Sequence, residues 1–320
     1  MIQISVIVPV FNEQESLPEL HNWIQRVMEE NAFSYEIIFV NDGSTDGSWE
    51  EIIKLGKINP FVKGVDFVRN YGKSAALDVG FGKAQGQVVI TMDADMQDSP
   101  DEIPELYEMV VGGGYEVVSG WKKKRHDPIT KTVPSRFFNW VTRIISGIKL
   151  HDFNCGLKAY KKKVVKNIHI YGEMHRYIPL IAKWNGFSNI GEKVVEHRPR
   201  KYGETKFGIE RFLNGFLDLI SVSFVNRYKK RPMHFFGSLG TISFLAGFFI
   251  TSWLIFEKIY GIYKGLMVRD ITAQPLFFLA LVALIVGVQL FLTGFLAEMM
   301  TSNNSRKADY NIDDEFNFGS

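Results

Sequence analysis

Two unbroken apolar stretches, Phe235 to Phe256 and Pro275 to Ala297, restrict what this chain can become more than any other feature. Neither contains a charged residue, and each is close to the ~20 residues that cross a bilayer as a helix. In lipid every backbone N–H and C=O must be satisfied within the protein, and a single span manages this only as a helix. A helix buried in a soluble core seldom stays uncharged for so long, so the pair predicts two transmembrane helices. Arg227, Lys229, Lys230 and Arg231 stand immediately before the first, with His234 at its edge. Lys258, Lys264 and Arg269 lie in the connection between the two. The charge ahead of the first span predicts a cytoplasmic flank. A hairpin then returns the polar, acidic tail, with Arg306 and Lys307, to the same side. The expected organisation is a cytoplasmic domain over 1–206, a juxtamembrane helix over 207–232, two spans within 233–300 and a tail over 301–320.

The part ahead of the membrane reads as alternating strands and helices. Ile4 to Val10 is a short β-branched strand, Leu17, Leu20, Trp23, Ile24, Val27 and Met28 recur at helical spacing, and Tyr35 to Val40 is a second strand. A helix over Trp49 to Leu55, a strand over Val62 to Val68 and a helix over Lys73 to Gly82 come next. Such alternation predicts an α/β fold with a doubly wound, mostly parallel sheet. Glu116 to Ser119 reads as a further strand.

The central strand, Val88 to Met92, runs directly into Asp93-Ala94-Asp95-Met96-Gln97-Asp98. Ligands of open α/β sheets bind at the carboxyl ends of strands. Side chains alternate along an extended segment, so Asp93 and Asp95 point the same way. Two converging carboxylates form a hard-oxygen site suited to Mg²⁺ or Mn²⁺, completed by a ligand's phosphates. Glu13 and Asp42 fall at the ends of the first two strands, where carboxylates accept hydrogen bonds from ribose or base, although helix capping explains either one equally well. Two phosphate-binding turns are excluded. No Gly-x-Gly-x-x-Gly follows the first strand, and Gly72-Lys73-Ser74 lacks the P-loop glycine, because position 67 is Phe67.

Val8-Pro9-Val10-Phe11-Asn12-Glu13, Val40-Asn41-Asp42-Gly43-Ser44-Thr45-Asp46, Arg69-Asn70-Tyr71-Gly72-Lys73 and Asp93-Ala94-Asp95-Met96-Gln97 occur in the order and spacing of family 2 glycosyltransferases of the GT-A fold. The chain resembles their polyprenyl-phosphate branch, similar to dolichol-phosphate mannose synthase, over roughly residues 4–225. The resemblance implies an inverting enzyme that moves a hexose from a UDP- or GDP-sugar to a membrane polyprenyl phosphate, for modification of cell-envelope glycans. It implies that Pro9, Phe11, Glu13, Val40 and Asp42 hold the nucleoside, and that Asp93 and Ala94 meet ribose and diphosphate. Asp95 and Gln97 then resemble the ligands of Mg²⁺ or Mn²⁺.

Lys122 stands where the branch has arginine, keeping the charge without the bidentate fork, whereas Arg125 and Asp127 match. Asp152, in His151-Asp152-Phe153-Asn154-Cys155-Gly156-Leu157-Lys158, resembles an acceptor-side carboxylate. Because a phosphate acceptor is already an anion, Asp152 is expected to orient rather than deprotonate it. Arg200 and Lys206, within Arg198-Pro199-Arg200-Lys201-Tyr202-Gly203-Glu204-Thr205-Lys206, are the expected diphosphate ligands.

Phe137, Phe138, Trp140, Val141, Ile144, Ile145 and Ile148 form one helical stripe; Phe207, Ile209, Phe212, Leu213, Phe216, Leu217 and Ile220 form another. The first fits a core-facing helix or one resting on a membrane; the second, just ahead of the spans, is expected at the interface. Exposed interfacial helices leave room for a homo-oligomer.

Thirty-seven basic against 35 acidic residues give a net charge of +2, which argues for no nucleic-acid partner. One cysteine, Cys155, excludes an intrachain disulfide and reads as a packing residue. The N-terminus opens on a strand without a signal peptide's basic start, so the expected location is the cytoplasmic face of the inner membrane. A processive polysaccharide synthase is disfavoured because no Gln-x-x-Arg-Trp follows the acidic pair. A non-catalytic scaffold is disfavoured because acidic site and basic loop are both present.

Overall fold

The computed structural model describes residues 2–123, 139–199, 201–202 and 231–304. The chain divides into two compact units, with the boundary between Ser221 and Val222.

The first unit is built on a seven-stranded sheet. Its strands are β1 (Ile4–Val10), β2 (Tyr35–Asn41), β3 (Val62–Asp66), β4 (Val88–Thr91), β5 (Val117–Trp121), β6 (Lys158–Lys161) and β7 (Ile190–Val194), in the order β3-β2-β1-β4-β6-β5-β7. β1 lies parallel between β2 and β4, with Ile4 opposite both Tyr35 and Val88. β6 runs antiparallel to both β4 and β5, and β5 pairs parallel with β7. The mostly parallel, doubly wound sheet expected from the sequence is present.

Helices cover both faces, which is why β1 and β2 read as continuous apolar runs. On one side α1 (Leu17–Glu30), α2 (Ser48–Ile58) and α4 (Ile103–Val111) bring Leu20, Ile24, Ile52, Leu55, Ile103 and Leu106 onto Val6, Val8, Phe39 and Ile90. On the other, α3 (Lys73–Lys83) lies so close that a Cβ on Gly80 would meet Ile7 Cγ2 at 2.5 Å. Two short helices, α6 (Lys162–Lys166) and α7 (Ile178–Trp184), come after α5, which is described over 139–146.

A buried carboxylate is built into β2. Glu36 on β2 is 1% exposed and accepts hydrogen bonds from Ser5 Oγ at 2.5 Å, Lys63 Nζ at 2.6 Å and the Gln85 amide at 2.7 Å. Burial works against its charge, but Lys63, Ser5 and the Gln85 amide outweigh it and hold the carboxyl below its usual range. Glu36→Ala leaves the Ser5 hydroxyl and Gln85 amide without their acceptor and is expected to destabilise the domain by about 2–3 kcal/mol. Chemical denaturation followed by tryptophan fluorescence would measure it. Because the folded-state pKa is depressed, this stabilisation is present above the unfolded carboxyl's pKa and is lost as pH falls through the folded value.

α5 is inside out for a soluble protein. Asn139, Thr142 and Ser146 are buried, while Trp140 is 56% and Ile144 63% exposed. Its polar groups tie it inward: Asn139 Oδ1 accepts the Phe153 amide at 3.3 Å, and Arg143 Nε donates to the Leu150 carbonyl at 3.0 Å. Of the two sequence readings, an outward apolar face fits the interfacial one. Phe137, Phe138 and the stripe over 207–220 lie outside the described residues.

The second unit is a helical hairpin of α8 (Pro232–Tyr263) and α9 (Pro275–Asn304), both long and apolar enough to cross a membrane. Only 17% and 11% of their most apolar windows are buried, unlike a soluble protein's core helices. They run antiparallel: the Met233 amide donates to Glu298 Oε2 at 3.1 Å, and further along Gly247 lies against Ala280. A Cβ on Gly247 would meet the Ala280 carbonyl oxygen at 2.6 Å, and one on Gly240 the Gly287 carbonyl oxygen at 2.7 Å. Small residues at these crossings let the backbones approach, the usual basis of helix pairing in lipid.

Candidate active site

Three loops at the carboxyl ends of β1, β2 and β4 make the site. The first two are laced together. Asn12, at φ 55°, accepts the Thr45 amide on Oδ1 at 2.8 Å and donates its own amide to Ser44 Oγ at 2.9 Å. The Glu13 amide reaches Ser48 Oγ at 3.1 Å. Pro9, Phe11 and Glu13 are half-buried along this edge. Val40 is fully buried in the ladder between Pro9 and Val65, so its side chain belongs to the core beneath the edge.

Asp42 is buried and already has partners, accepting the Tyr71 amide at 2.7 Å and the Gly72 amide at 3.0 Å. Burial pushes its pKa up against the pull of those two amides. It therefore fixes the turn that starts α3, and its remaining lone pairs are what it can offer a nucleoside. Gly43 makes this approach possible. Its φ is +64°, and a Cβ there would sit 2.3 Å from the Arg69 carbonyl carbon.

β4 delivers the acidic group. Asp93 is ion-paired with Lys73, the first residue of α3. Burial around Asp93 opposes its charge, but the Lys73 ammonium outweighs it and holds the carboxyl low, at about 2. Asp95 behaves oppositely: burial, then Asp93 and Asp98, push it up to about 6. Its Oδ1 accepts the Gln97 amide at 3.2 Å across a turn in which Met96 has φ 62°. Asp98 is fully buried and pairs with Lys122 at 2.8 Å. Ala94 is buried between the two carboxylates.

This donor set fits a hard divalent cation. It offers oxygen ligands only, and Asp95 is crowded by two further carboxylates whose repulsion a cation would relieve. Among the described residues no three His, Cys, Asp or Glu side chains converge as a closed metal cage. A metal held by Asp95 and Gln97 would thus share its coordination with a ligand's phosphates, as Mg²⁺ sites commonly do.

The loop over 151–157, expected on the acceptor side, ends in β6. Asp152 is 1% exposed, and its Oδ1 accepts the Asn154 amide at 3.0 Å. Glu192 Oε1 accepts the amides of His151 and Asp152 at 2.6 and 3.1 Å. This burial and capping suit an orienting group better than a base. Cys155 is buried and burial pushes its thiol up to about 12, which fits packing rather than nucleophilic work. Gly156 lies directly against Asp93: a Cβ there would be 2.6 Å from Asp93 Oδ2.

The segment leading to the basic loop hangs from the acidic turn. The Arg198 amide donates to the Gln97 carbonyl at 3.0 Å, and Asp98 and His197 form a backbone bridge. Lys201 Nζ and Tyr202 Oη both donate to Glu19 Oε2 on α1, at 2.6 and 2.9 Å. Arg125, Arg200 and Lys206 lie outside the described residues.

Sequence reasoning gave no individual role to Lys73, Asp98, Gly156, Lys158 or His175, which the structure brings around Asp93 and Asp95. Lys73 carried a signal. A lysine opening a helix opposes the macrodipole and needs an anionic partner nearby.

Residues 5–169 match the model of glycosyl transferase family 2. The chain belongs to that family. It is 36% identical over 302 residues to a dodecaprenyl-phosphate galacturonate synthase of Rhizobium johnstonii, covering 93% of this chain and 88% of that protein. It is 33% identical over 309 residues to an undecaprenyl-phosphate 4-deoxy-4-formamido-L-arabinose transferase of Pseudomonas aeruginosa, covering 86% and 89%. A crystal structure of Mycobacterium tuberculosis glucosyl-3-phosphoglycerate synthase with Mn²⁺ and UDP-glucose is similar to this family member at a TM-score of 0.53 and 21% identity, over 71% of this chain and 79% of that one. The likeness shows the shared GT-A type of fold. The chain is thus a glycosyltransferase with the α/β architecture its sequence motifs suggested.

Proposed function

We propose that this glycosyltransferase moves a sugar from a UDP- or GDP-linked donor to a polyprenyl phosphate, from the cytoplasmic face of the inner membrane, as a multi-pass protein. The observation that carries this reading is the carboxylate group Asp93, Asp95 and Asp98, interleaved with Lys73 and Lys122 at the sheet's carboxyl edge, in a chain that also carries an apolar helical hairpin. The names of the two relatives, a synthase and a transferase of polyprenyl-phosphate sugars, support the acceptor class.

Pro9, Phe11, Glu13 and Asp42 line the edge that receives the nucleoside, and Asp93 faces ribose and diphosphate. Asp95 and Gln97 would hold Mg²⁺ or Mn²⁺, which supplies charge stabilisation for the departing diphosphate. Lys122, Arg125, Arg200 and Lys206 contribute fixed positive charge toward the same leaving group. A phosphate oxygen of the lipid attacks the anomeric carbon as the bond to the diphosphate oxygen breaks, inverting that centre. No proton has to move, because the acceptor is an anion, and Asp152 orients the acceptor-side loop rather than deprotonating a nucleophile.

The outward apolar face of α5 and the hairpin both support a cleft kept at headgroup depth, where an isoprenoid phosphate resides. A panel of UDP- and GDP-sugars, each offered to the detergent-solubilised protein with a short polyprenyl phosphate and read by mass, tests the proposal. One donor should yield a lipid-linked sugar. If every donor is inert, or is merely hydrolysed, the acceptor assignment is wrong.

A further inference from the structure

The sheet edge opposite Asp93 and Asp95 carries a cleft of about 490 Å³. Ile2 precedes β1, Val88 opens β4, and the antiparallel β6 ends beside them, with Lys161 opposite Val88. Extended chain from Val88 to Asp93 spans about 16 Å, so the cleft lies away from the transfer site. Three consecutive lysines, Lys161, Lys162 and Lys163, line it together with Ile2, Gln85 and Val111. The backbone that carries them is fixed from two sides. The Lys161 amide donates to the Glu116 carbonyl at 2.9 Å, and the Lys162 amide to the Gln87 carbonyl at 3.0 Å.

Two of these lysines meet only uncharged partners among the described residues. Lys161 Nζ donates to the Gly114 carbonyl and Lys162 Nζ to the Gln85 carbonyl, each at 3.1 Å. An ammonium has three donors, so each keeps some to spare. Among the described residues no carboxylate lines the cleft. Lys166 stands one turn beyond Lys162 on α6, and burial, followed by the Lys162 charge, holds it below its ordinary pKa. Apolar surface adjoins the charge: Val111, the last residue of α4, is 42% exposed. The occupant that fits carries several anionic groups beside apolar side chains.

The chain itself supplies such a sequence. Beyond α9, Ile312-Asp313-Asp314-Glu315-Phe316-Asn317-Phe318 sets three consecutive carboxylates between Ile312 and two phenylalanines. Residues 305–320 lie outside the described residues. We infer that the cleft over Lys161–Lys163 is the docking site of this acidic segment, Ile312–Phe318, of the same chain. The acidic triplet answers the lysine triplet in sign and number, and the apolar side chains on either side of it answer Ile2 and Val111. Exposed ion pairs contribute little one by one. A segment tethered to its site acts at an effective concentration of roughly millimolar, so a few weak pairs hold it there. The same segment of a second copy presents the same groups, and the test separates the two.

Val111→Cys and Asn317→Cys are introduced together into the full-length protein in detergent, where the native Cys155 is buried and does not compete. Under mild oxidation an intramolecular disulfide should form, read by mass after proteolysis. It should form about tenfold faster than in a Val68→Cys/Asn317→Cys control. Val68 is 98% exposed and follows β3 at the catalytic edge. Raising NaCl from about 50 to about 500 mM should slow the cross-link about fivefold or more, because exposed ion pairs are screened. Lys161→Glu/Lys162→Glu should produce the same loss, and adding Asp313→Lys/Asp314→Lys to it should restore the rate. Asp313→Asn/Asp314→Asn/Glu315→Gln changes no residue of the sheet and carries the test if the lysine variant unfolds. Equal cross-linking to positions 68 and 111, or a disulfide between two copies in place of one within a chain, overturns the assignment. So does a rate indifferent to salt and to the charge variants.

Discussion

Asp95→Ala is expected to lower kcat at least about a thousandfold while leaving the protein folded and no less stable. The two halves of this prediction come from one observation. Asp95 is pushed up to about 6 by burial and by its neighbours Asp93 and Asp98, so the free protein gains nothing from its negative charge. Removing the carboxylate relieves that repulsion and takes away, among other contacts, that with the Gln97 amide. What is lost is the anionic ligand for the cation that steadies the departing diphosphate. Steady-state transfer and a melting curve on the same preparation check both halves. A stable variant with near-normal kcat contradicts the metal assignment, and a variant that unfolds contradicts the electrostatic argument.

Gly156→Val should have the second-largest effect although residue 156 need never touch substrate. Its Cβ would start 2.6 Å from Asp93 Oδ2 and 2.7 Å from Asp93 Cγ, so the carboxylate has to move. Asp93 is tethered from the opposite side by Lys73. The side chain therefore gives way as a unit, and the whole ion pair shifts. A displacement near 1 Å in a positioning group lowers turnover on the order of a hundredfold. The signature is a fall in kcat with nucleoside diphosphate affinity reduced. Gly156→Ala should lie between wild type and valine. Wild-type turnover in Gly156→Val would show that Asp93 is not held where the chemistry needs it.

The half of the site made by consecutive residues was legible in the sequence. Val88 to Thr91 can only be a buried strand, and residues just beyond a parallel strand lie at the functional edge, so Asp93 and Asp95 announced themselves. β1 and β2 were legible for the same reason, with Glu13 and Asp42 at their ends. β6 was not. Lys158-Ala159-Tyr160-Lys161 is short and begins and ends in lysine, and it becomes a strand because it fits between β4 and β5. Lys158 was hidden with it, since a lysine reads as surface until the sheet closes around it. α5 kept two readings open because periodicity shows that a helix has an apolar face but not what that face meets. In the structure Thr142 and Ser146 pack inward while Trp140 and Ile144 face out. His175 was invisible because its partner, Ser74, is 101 residues away and no local pattern encodes that meeting. Val40 shows what a resemblance leaves open: it places the residue at the nucleoside edge, whereas the structure seals its side chain in the sheet.

The most direct measurement is a single turnover of purified protein, a reactive nucleotide sugar and a short polyprenyl phosphate, with and without chelator. The account predicts one nucleoside diphosphate released per lipid-linked sugar formed, an anomeric configuration opposite to that of the donor, silence under chelation and recovery on adding Mg²⁺ or Mn²⁺. Retained configuration, free sugar without lipid product, or full transfer in the presence of chelator would contradict it.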